Sequence, residues 1–380
     1  MQVLFKSRHP QASELRDLTE RRVRFVLRRV GWLVPRAEVQ MSDVNGPRGG
    51  IDKRCQVELR TDGAGSVVVA SVASDWRTAL DNAQRSTIVT AARRAKADGL
   101  TIASLTADSF PLPGMEGAIA GWSLMLEAGR GFLLLTDFPI DQLDEHETEL
   151  AYVGLGTHLG TPVGQNAQSE LLTHVRDERL PAEAGKVRLY RTRERQDFHT
   201  DGADIIGLLC LHRAARGGES KIVSSWALYN EMLTRRPDLL DALYQPMGWD
   251  LQNDVAEGQQ PWFMLAPLND VGGVPRLFYL GWYIRDSQRH PDAPRLTDLQ
   301  LEAMSMLETL ANDPTFHLEM DFQPGDVQLI NNGRILHARE AYEDHPDPDE
   351  RRHLLRVWLA AHRFASLEQP LRDARGRPDA

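Results

Sequence analysis

The sequence predicts an α+β protein of two modules, residues 1–98 and 99–380. Three observations carry this reading. Charge changes sign along the chain: residues 1–98 hold 18 Lys and Arg against 11 Asp and Glu, and the remainder holds 26 against 43. The first module spells β-α-β-β-β-α in short, sharply punctuated runs. The second becomes strand-rich from Arg188 onward, with helical insertions. At 380 residues the chain is long for one domain and comfortable for two.

Each element of the first module has a local cause. Val3 and Phe5 alternate as in a strand. From Ser13 to Val30, Leu15, Leu18, Val23, Val26, Leu27 and Val30 recur mostly at three- and four-residue steps, an amphipathic helix whose other face is basic. Ala37–Met41 alternates again, and Gly46-Pro47-Arg48-Gly49-Gly50 is a break. Two strand-like runs, Cys55–Arg60 and Ser66–Ser71, flank Asp62-Gly63-Ala64-Gly65, a hairpin signal. Asp75 is the expected N-cap of a helix running to Lys96, which Gly99 ends.

In the second module the pattern predicts a helix over Ala118–Glu127, a buried strand over Gly131–Leu135 and a helix over His146–Leu159. Further helices are expected over Ser225–Arg235 and Thr297–Ala311. Composition excludes several classes. Hydrophobic residues at 42% and charged residues at 26% argue against a disordered chain. No apolar run reaches the ~18 residues of a membrane-spanning helix. MQVLFKSRHP does not read as a signal peptide. Cys55 and Cys210 have no partner pattern, so a disulfide scaffold or Cys-type zinc site is not expected, and a cytoplasmic setting fits.

Chemistry concentrates in the second module. In a strand, residues two apart share a face, so His199 and Asp201 of Phe198-His199-Thr200-Asp201-Gly202 present an imidazole and a carboxylate to one ion. Such a triplet arises often by chance. A third candidate, His337 in Arg334-Ile335-Leu336-His337-Ala338-Arg339, follows the apolar strand after Pro324-Gly325. Two histidines and a carboxylate on one face of an octahedral ion leave three positions open, which favours non-haem Fe(II) with a bidentate co-substrate and O₂. Arg356 lies in the apolar run Leu354–Leu359, with Arg352 four residues earlier. A buried guanidinium needs an anionic partner, and its planar fork suits a carboxylate.

These motifs together resemble the taurine/2,4-dichlorophenoxyacetate dioxygenase (TauD/TfdA) family: the HTD triplet, NNGRILHARE, RRHLLRVWL, GRGFLLL and GGESKIVSSWALYNEML. The resemblance implies a double-stranded β-helix, a jelly roll holding Fe(II) in its mouth through His199, Asp201 and His337. It implies 2-oxoglutarate and O₂ as co-substrates, with Arg352 on the distal carboxylate and Ser220, where relatives usually carry threonine, hydrogen-bonding the same group. Arg356 matches a position that holds the co-substrate or an anionic substrate. The implied reaction oxidises an unactivated C–H of a small, anionic molecule and yields succinate. Gln165 and Asn166 fall where relatives place substrate contacts, and Tyr190, Trp262, Trp282 and Tyr283 suit a pocket or core packing. His174 is expected to be structural and His353 solvated.

The first module, through its topology, GGIDKRCQVELR and DWRTALDNA, resembles the ribosome hibernation-promoting factor family. That implies contact with the small ribosomal subunit, with Arg21, Arg22, Arg28, Arg29, Arg93 and Arg94 as candidate rRNA contacts. The alternative function is therefore a ribosome-associated protein whose oxygenase acts on a ribosomal target or is idle.

Overall fold

The computed structural model describes residues 2–7, 16, 36–43, 53–61, 65–73 and 77–364, except 167, 180–187, 253–254, 256–259 and 272. The chain divides into two units, Met1–Thr78 and Ala79–Ala380. In the first, β1 (Gln2–Ser7), β2 (Arg36–Asp43), β3 (Lys53–Thr61) and β4 (Gly65–Ala73) form one sheet in that order. β1 and β2 run parallel, with Val3 beside Ala37 and Phe5 beside Val39, and the other pairs are antiparallel. All four fall on runs where alternation predicts strands. The expected helix over 13–30 lies outside the described residues apart from Arg16, so Arg21, Arg22, Arg28 and Arg29 do too.

The second unit opens with helix α1 (Asn82–Ala97), which the sequence assigns to the first module. Its cap is Asp81, not Asp75. The Asp81 carboxylate accepts the Gln84 amide at 2.8 Å, and the Gln84 side chain accepts the Asp81 amide at 3.0 Å. Ile88, Ala91, Ala92 and Ala95 of α1 pack into the second unit's core, which places the boundary at residue 78 and not at 98. Helices α2 (Glu116–Glu127) and α3 (Glu145–Thr157) join it there.

In chain order the remaining strands begin with β5 (Arg77–Ala79), β6 (Phe132–Thr136), β7 (Gly160–Pro162), β8 (Leu172–Val175), β9 (Gln196–His199) and β10 (Ile205–His212). β11 (Arg216–Gly217), β12 (Ser220–Ser224), β13 (Met247–Asp250), β14 (Trp262–Leu265), β15 (Leu268–Val271) and β16 (Val274–Leu277) follow. The last are β17 (His317–Met320), β18 (Val327–Asn331), β19 (Ile335–Arg339), β20 (Tyr342–Glu343) and β21 (His353–Ala361).

A large sheet runs β5-β6-β18-β10-β21-β7, with β8 also on β21, and a smaller one runs β17-β12-β19-β9. Alternation sorts the large sheet's side chains. Leu133, Leu135, Ile205, Leu209, Leu329, Leu355 and Val357 face the helices α1–α3. The intervening Phe132, Leu134, Ile206, Cys210, Ile330, Leu354 and Trp358 pack with Ile222, Met320 and Ile335 of the smaller sheet. Two facing antiparallel sheets with one helix-covered side are the jelly-roll arrangement that the family resemblance implies. Helices α4 (Ser225–Arg235), α5 (Pro237–Leu243), α6 (Gly281–Ser287) and α7 (Asp298–Asn312) belong to insertions after β12 and β16. No helix among the described residues is long and apolar enough to cross a membrane.

Candidate active site

The smaller sheet brings two of the expected residues together by register. In the antiparallel β9–β19 pair His199 stands opposite His337, and their rings lie 4.2 Å apart between centroids. The sequence places Asp201 on the same strand as His199, but β9 ends at His199 and Asp201 lies beyond it. Asn332 holds that bend: its side-chain oxygen accepts the Asp201 amide at 2.9 Å, and its Nδ2 donates to the Asp201 and Ala203 carbonyls at 2.8 and 2.9 Å. Thr200 braces the other side. Its amide donates to the Tyr279 carbonyl and its hydroxyl accepts the Tyr279 amide, each at 2.8 Å.

Asp201 Oδ1 is then 3.9 Å from His199 Nε2, and its Oδ2 is 3.6 Å from His337 Nε2. All three donor atoms lie within 4.8 Å of one another, and all three residues are buried. Burial first, and then the neighbouring His337, push the His199 imidazole down to about 3, which keeps it neutral. The Asp197 carbonyl, 2.8 Å from His199 Nδ1, fixes the tautomer that leaves Nε2 its lone pair. Burial acts to raise the Asp201 carboxyl, yet Arg356 and His337 hold it well below the usual carboxylate range. His337 Nδ1 is buried without a hydrogen-bond partner among the described residues. A neutral imidazole, an ionised carboxylate and a second imidazole fit a divalent ion with open positions, the donor set suited to non-haem iron.

Arg352, Arg356 and Ser220 are buried beside this cluster and line one cavity with His337, Arg339, Gln196 and Tyr190. On β21 and the residue before it, Arg352, Leu354, Arg356 and Trp358 share the face between the sheets. Arg356 is the cation nearest the triad, its Nη1 3.4 Å from Asp201 Oδ2. The Tyr190 and Trp358 rings flank its guanidinium at 4.8 and 5.1 Å. The Trp358 indole also donates to Asp201 Oδ2 at 3.2 Å. Arg352 packs 4.9 Å from the Tyr342 ring centroid, and burial lowers its guanidinium. Close approach here needs the Gly217-Gly218 pair, both at positive φ; a Cβ on Gly218 would stand 3.0 Å from Arg352 Nε.

Of the expected substrate residues, Tyr190 and Arg356 line the cavity, and Gln165 and Asn166 hydrogen-bond within the protein. Gln165 is buried and accepts Arg356 Nε at 2.8 Å, while its Nε2 donates to the Arg356 and Leu171 carbonyls. It positions Arg356. Asn166 closes a turn by accepting the Gln168 and Glu170 amides. Arg93 donates to the Gln142 carbonyl at 2.9 Å, and Arg94 pairs with Asp98. Trp282, which the sequence suits to a pocket or to core packing, sits 5.1 Å from the His199 ring. Two further neighbours, Trp358 and Asn332, have no assigned role in the sequence motifs. Trp358 shares the parity of Arg356, a signal that was available. Asn332 carried none, because its partners are distant backbone atoms.

Comparison with known proteins agrees with this geometry. The family model "Taurine catabolism dioxygenase TauD, TfdA family" matches residues 99–358. The chain is 32% identical over 292 residues to FR-33289 synthase of Streptomyces rubellomurinus, covering 76% of this chain and 86% of that protein. It is 29% identical over 272 residues to a taurine hydroxylase-like protein of Stachybotrys chartarum, covering 68% of each. Among solved structures, an asparagine oxygenase with Fe(II), 2S,3S-3-hydroxyasparagine and succinate superposes with a TM-score of 0.58 at 16% identity, over 75% of this chain and 93% of that one. The non-haem iron oxygenase OrfP with iron and α-ketoglutaric acid gives 0.56 at 17%, over 75% and 94%. At such identities the structures bear on the fold.

Proposed function

The chain belongs to the taurine catabolism dioxygenase TauD, TfdA family and is a 2-oxoglutarate-dependent non-haem iron dioxygenase; from that premise we propose that His199, Asp201 and His337 hold its iron and that it oxidises a small organic anion. The observation that carries the assignment is the convergence of those three buried donors beside buried Arg356 and Arg352. When bound, iron with 2-oxoglutarate and O₂ supplies the oxidising power for C–H hydroxylation, while 2-oxoglutarate becomes succinate and CO₂.

The protein's own residues bind, orient and exclude water. Arg352 and Ser220 take the distal carboxylate of 2-oxoglutarate. Arg356, held by Gln165 and flanked by Tyr190 and Trp358, faces the metal side and receives the other anionic end or the substrate. Trp282 walls the His199 side. Charge supports an anionic substrate. Three buried guanidiniums, Arg339, Arg352 and Arg356, together with iron outweigh Asp201 and a dianionic co-substrate, leaving a surplus that a sulfonate, phosphate or carboxylate offsets. Taurine, named in one relative, carries such a sulfonate on a zwitterion. No observation on the described residues favours a ribosomal target.

The test is succinate formation by the iron-loaded enzyme over a panel of sulfonates, phosphates and carboxylates, each matched to a neutral analogue of the same carbon skeleton. Coupled turnover is expected with the anions. Equal turnover of the neutral partners contradicts the substrate class, and no 2-oxoglutarate consumption with any compound contradicts the site assignment.

A further inference from the structure

We propose that Arg339 supplies a second guanidinium to the distal carboxylate of 2-oxoglutarate, beside Arg352; this rests on the co-substrate reading above. Register carries the argument first. On β19, His337 stands opposite Ile222 of β12, and Arg339, two residues on, stands opposite Ser220. Residues two apart in a strand share a face and lie about 6.7 Å apart. That step matches the reach of a five-carbon diacid whose near end is chelated beside His337. It delivers the far carboxylate to the Ser220–Arg339 pair.

Hydrogen bonding gives the second argument. Arg339 is 6% exposed, and its Nε and Nη1 have no hydrogen-bond partner among the described residues. Its remaining nitrogen, Nη2, donates to the Leu189 and Glu194 carbonyls. Arg352 is 4% exposed, and its Nη1 is likewise unpartnered. Both line the same cavity, walled by Leu208, Phe322 and Leu354, and both guanidiniums pack on the Tyr342 ring, 5.1 and 4.9 Å from its centroid. Neither forms an ion pair with a carboxylate among the described residues. Two buried like charges with open donors call for one shared anion.

The experiment is calorimetric binding of two acids to the anaerobic, Fe(II)-loaded full-length enzyme: 2-oxoglutarate, and 2-oxopentanoate, which has the same chain without the distal carboxylate. Arg339→Gln should weaken 2-oxoglutarate by about 10- to 100-fold and leave 2-oxopentanoate unchanged. Arg339→Lys, which keeps the charge without the fork, should recover part of the loss. If Arg339→Gln does not fold, Arg339→Lys carries the same comparison, with a several-fold drop in preference for the diacid. Equal loss for both acids assigns Arg339 only to holding the Leu189–Glu194 segment and overturns the proposal. So does an undiminished preference. A parent enzyme that binds neither acid overturns the co-substrate reading itself, a result distinct from failure at Arg339 alone.

Discussion

His199 and His337 reach one another because neighbouring antiparallel strands set them in register, and Asp201 reaches both because Asn332 and Thr200 hold the bend after β9. His199→Ala should therefore abolish iron-dependent 2-oxoglutarate turnover while circular dichroism stays that of the parent. Retained turnover would remove His199 from the metal. Asn332→Ala should act at one remove, weakening Fe(II) affinity by about 10- to 100-fold through a released Asp201. Parent-like affinity would show that the bend holds without it. Gln165→Leu leaves the buried Arg356 Nε without an acceptor and should cost about 1–3 kcal/mol in urea unfolding. At this scale the triad was legible, since HTD and a distant His after an apolar strand are local strings. Gln165 was not, because its acceptor role depends on Arg356, 191 residues away.

Elements explain why the arginines sit where they do. β21 carries Arg356 and Trp358 on one face, and the left-handed Gly217-Gly218 turn lets the chain pass Arg352 closely. Gly218→Ala should cost about 1–2 kcal/mol from its positive φ and should also weaken 2-oxoglutarate binding. Full stability with parent affinity would contradict that packing. β21 also holds His353, which the charged flanking sequence suggested was solvated. It is half-buried, 2.7 Å from His174, and burial first, then the His174 charge, push it down to about 3. In the unfolded chain the same group titrates near 6.5. Between those values the unfolded state holds the extra proton, so stability rises with pH and is lost on acidification. His353→Phe should flatten that slope by at most about 1.4 kcal/mol per pH unit, measured by urea unfolding across the window. An unchanged slope would assign the pH dependence elsewhere. Strand and helix positions were largely legible from alternation and caps. The start of α1 was not, because Asp75 and Asp81 both suit a cap and only the Gln84 reciprocal bond distinguishes them.

For the whole molecule, the charge reversal predicts two modules, and the chain divides into two units at residue 78, with α1, amphipathic and expected in the first, in the second. Its alanine-rich face belongs to the helix layer over the large sheet. The family match covers residues 99–358, within the second unit. A chain of residues 77–380, which keeps β5, should accordingly bind 2-oxoglutarate and turn over as the full protein does; loss of binding would tie the first unit to the site. The central claim is that one buried triad holds iron and presents it to 2-oxoglutarate. Anaerobic titration of Fe(II) and then 2-oxoglutarate into the purified protein tests it most directly, through the weak visible band of the chelate. The account predicts a saturable band in the parent that disappears in His337→Ala. A parent with no band and no 2-oxoglutarate affinity, or a His337→Ala variant that keeps the band, would contradict it.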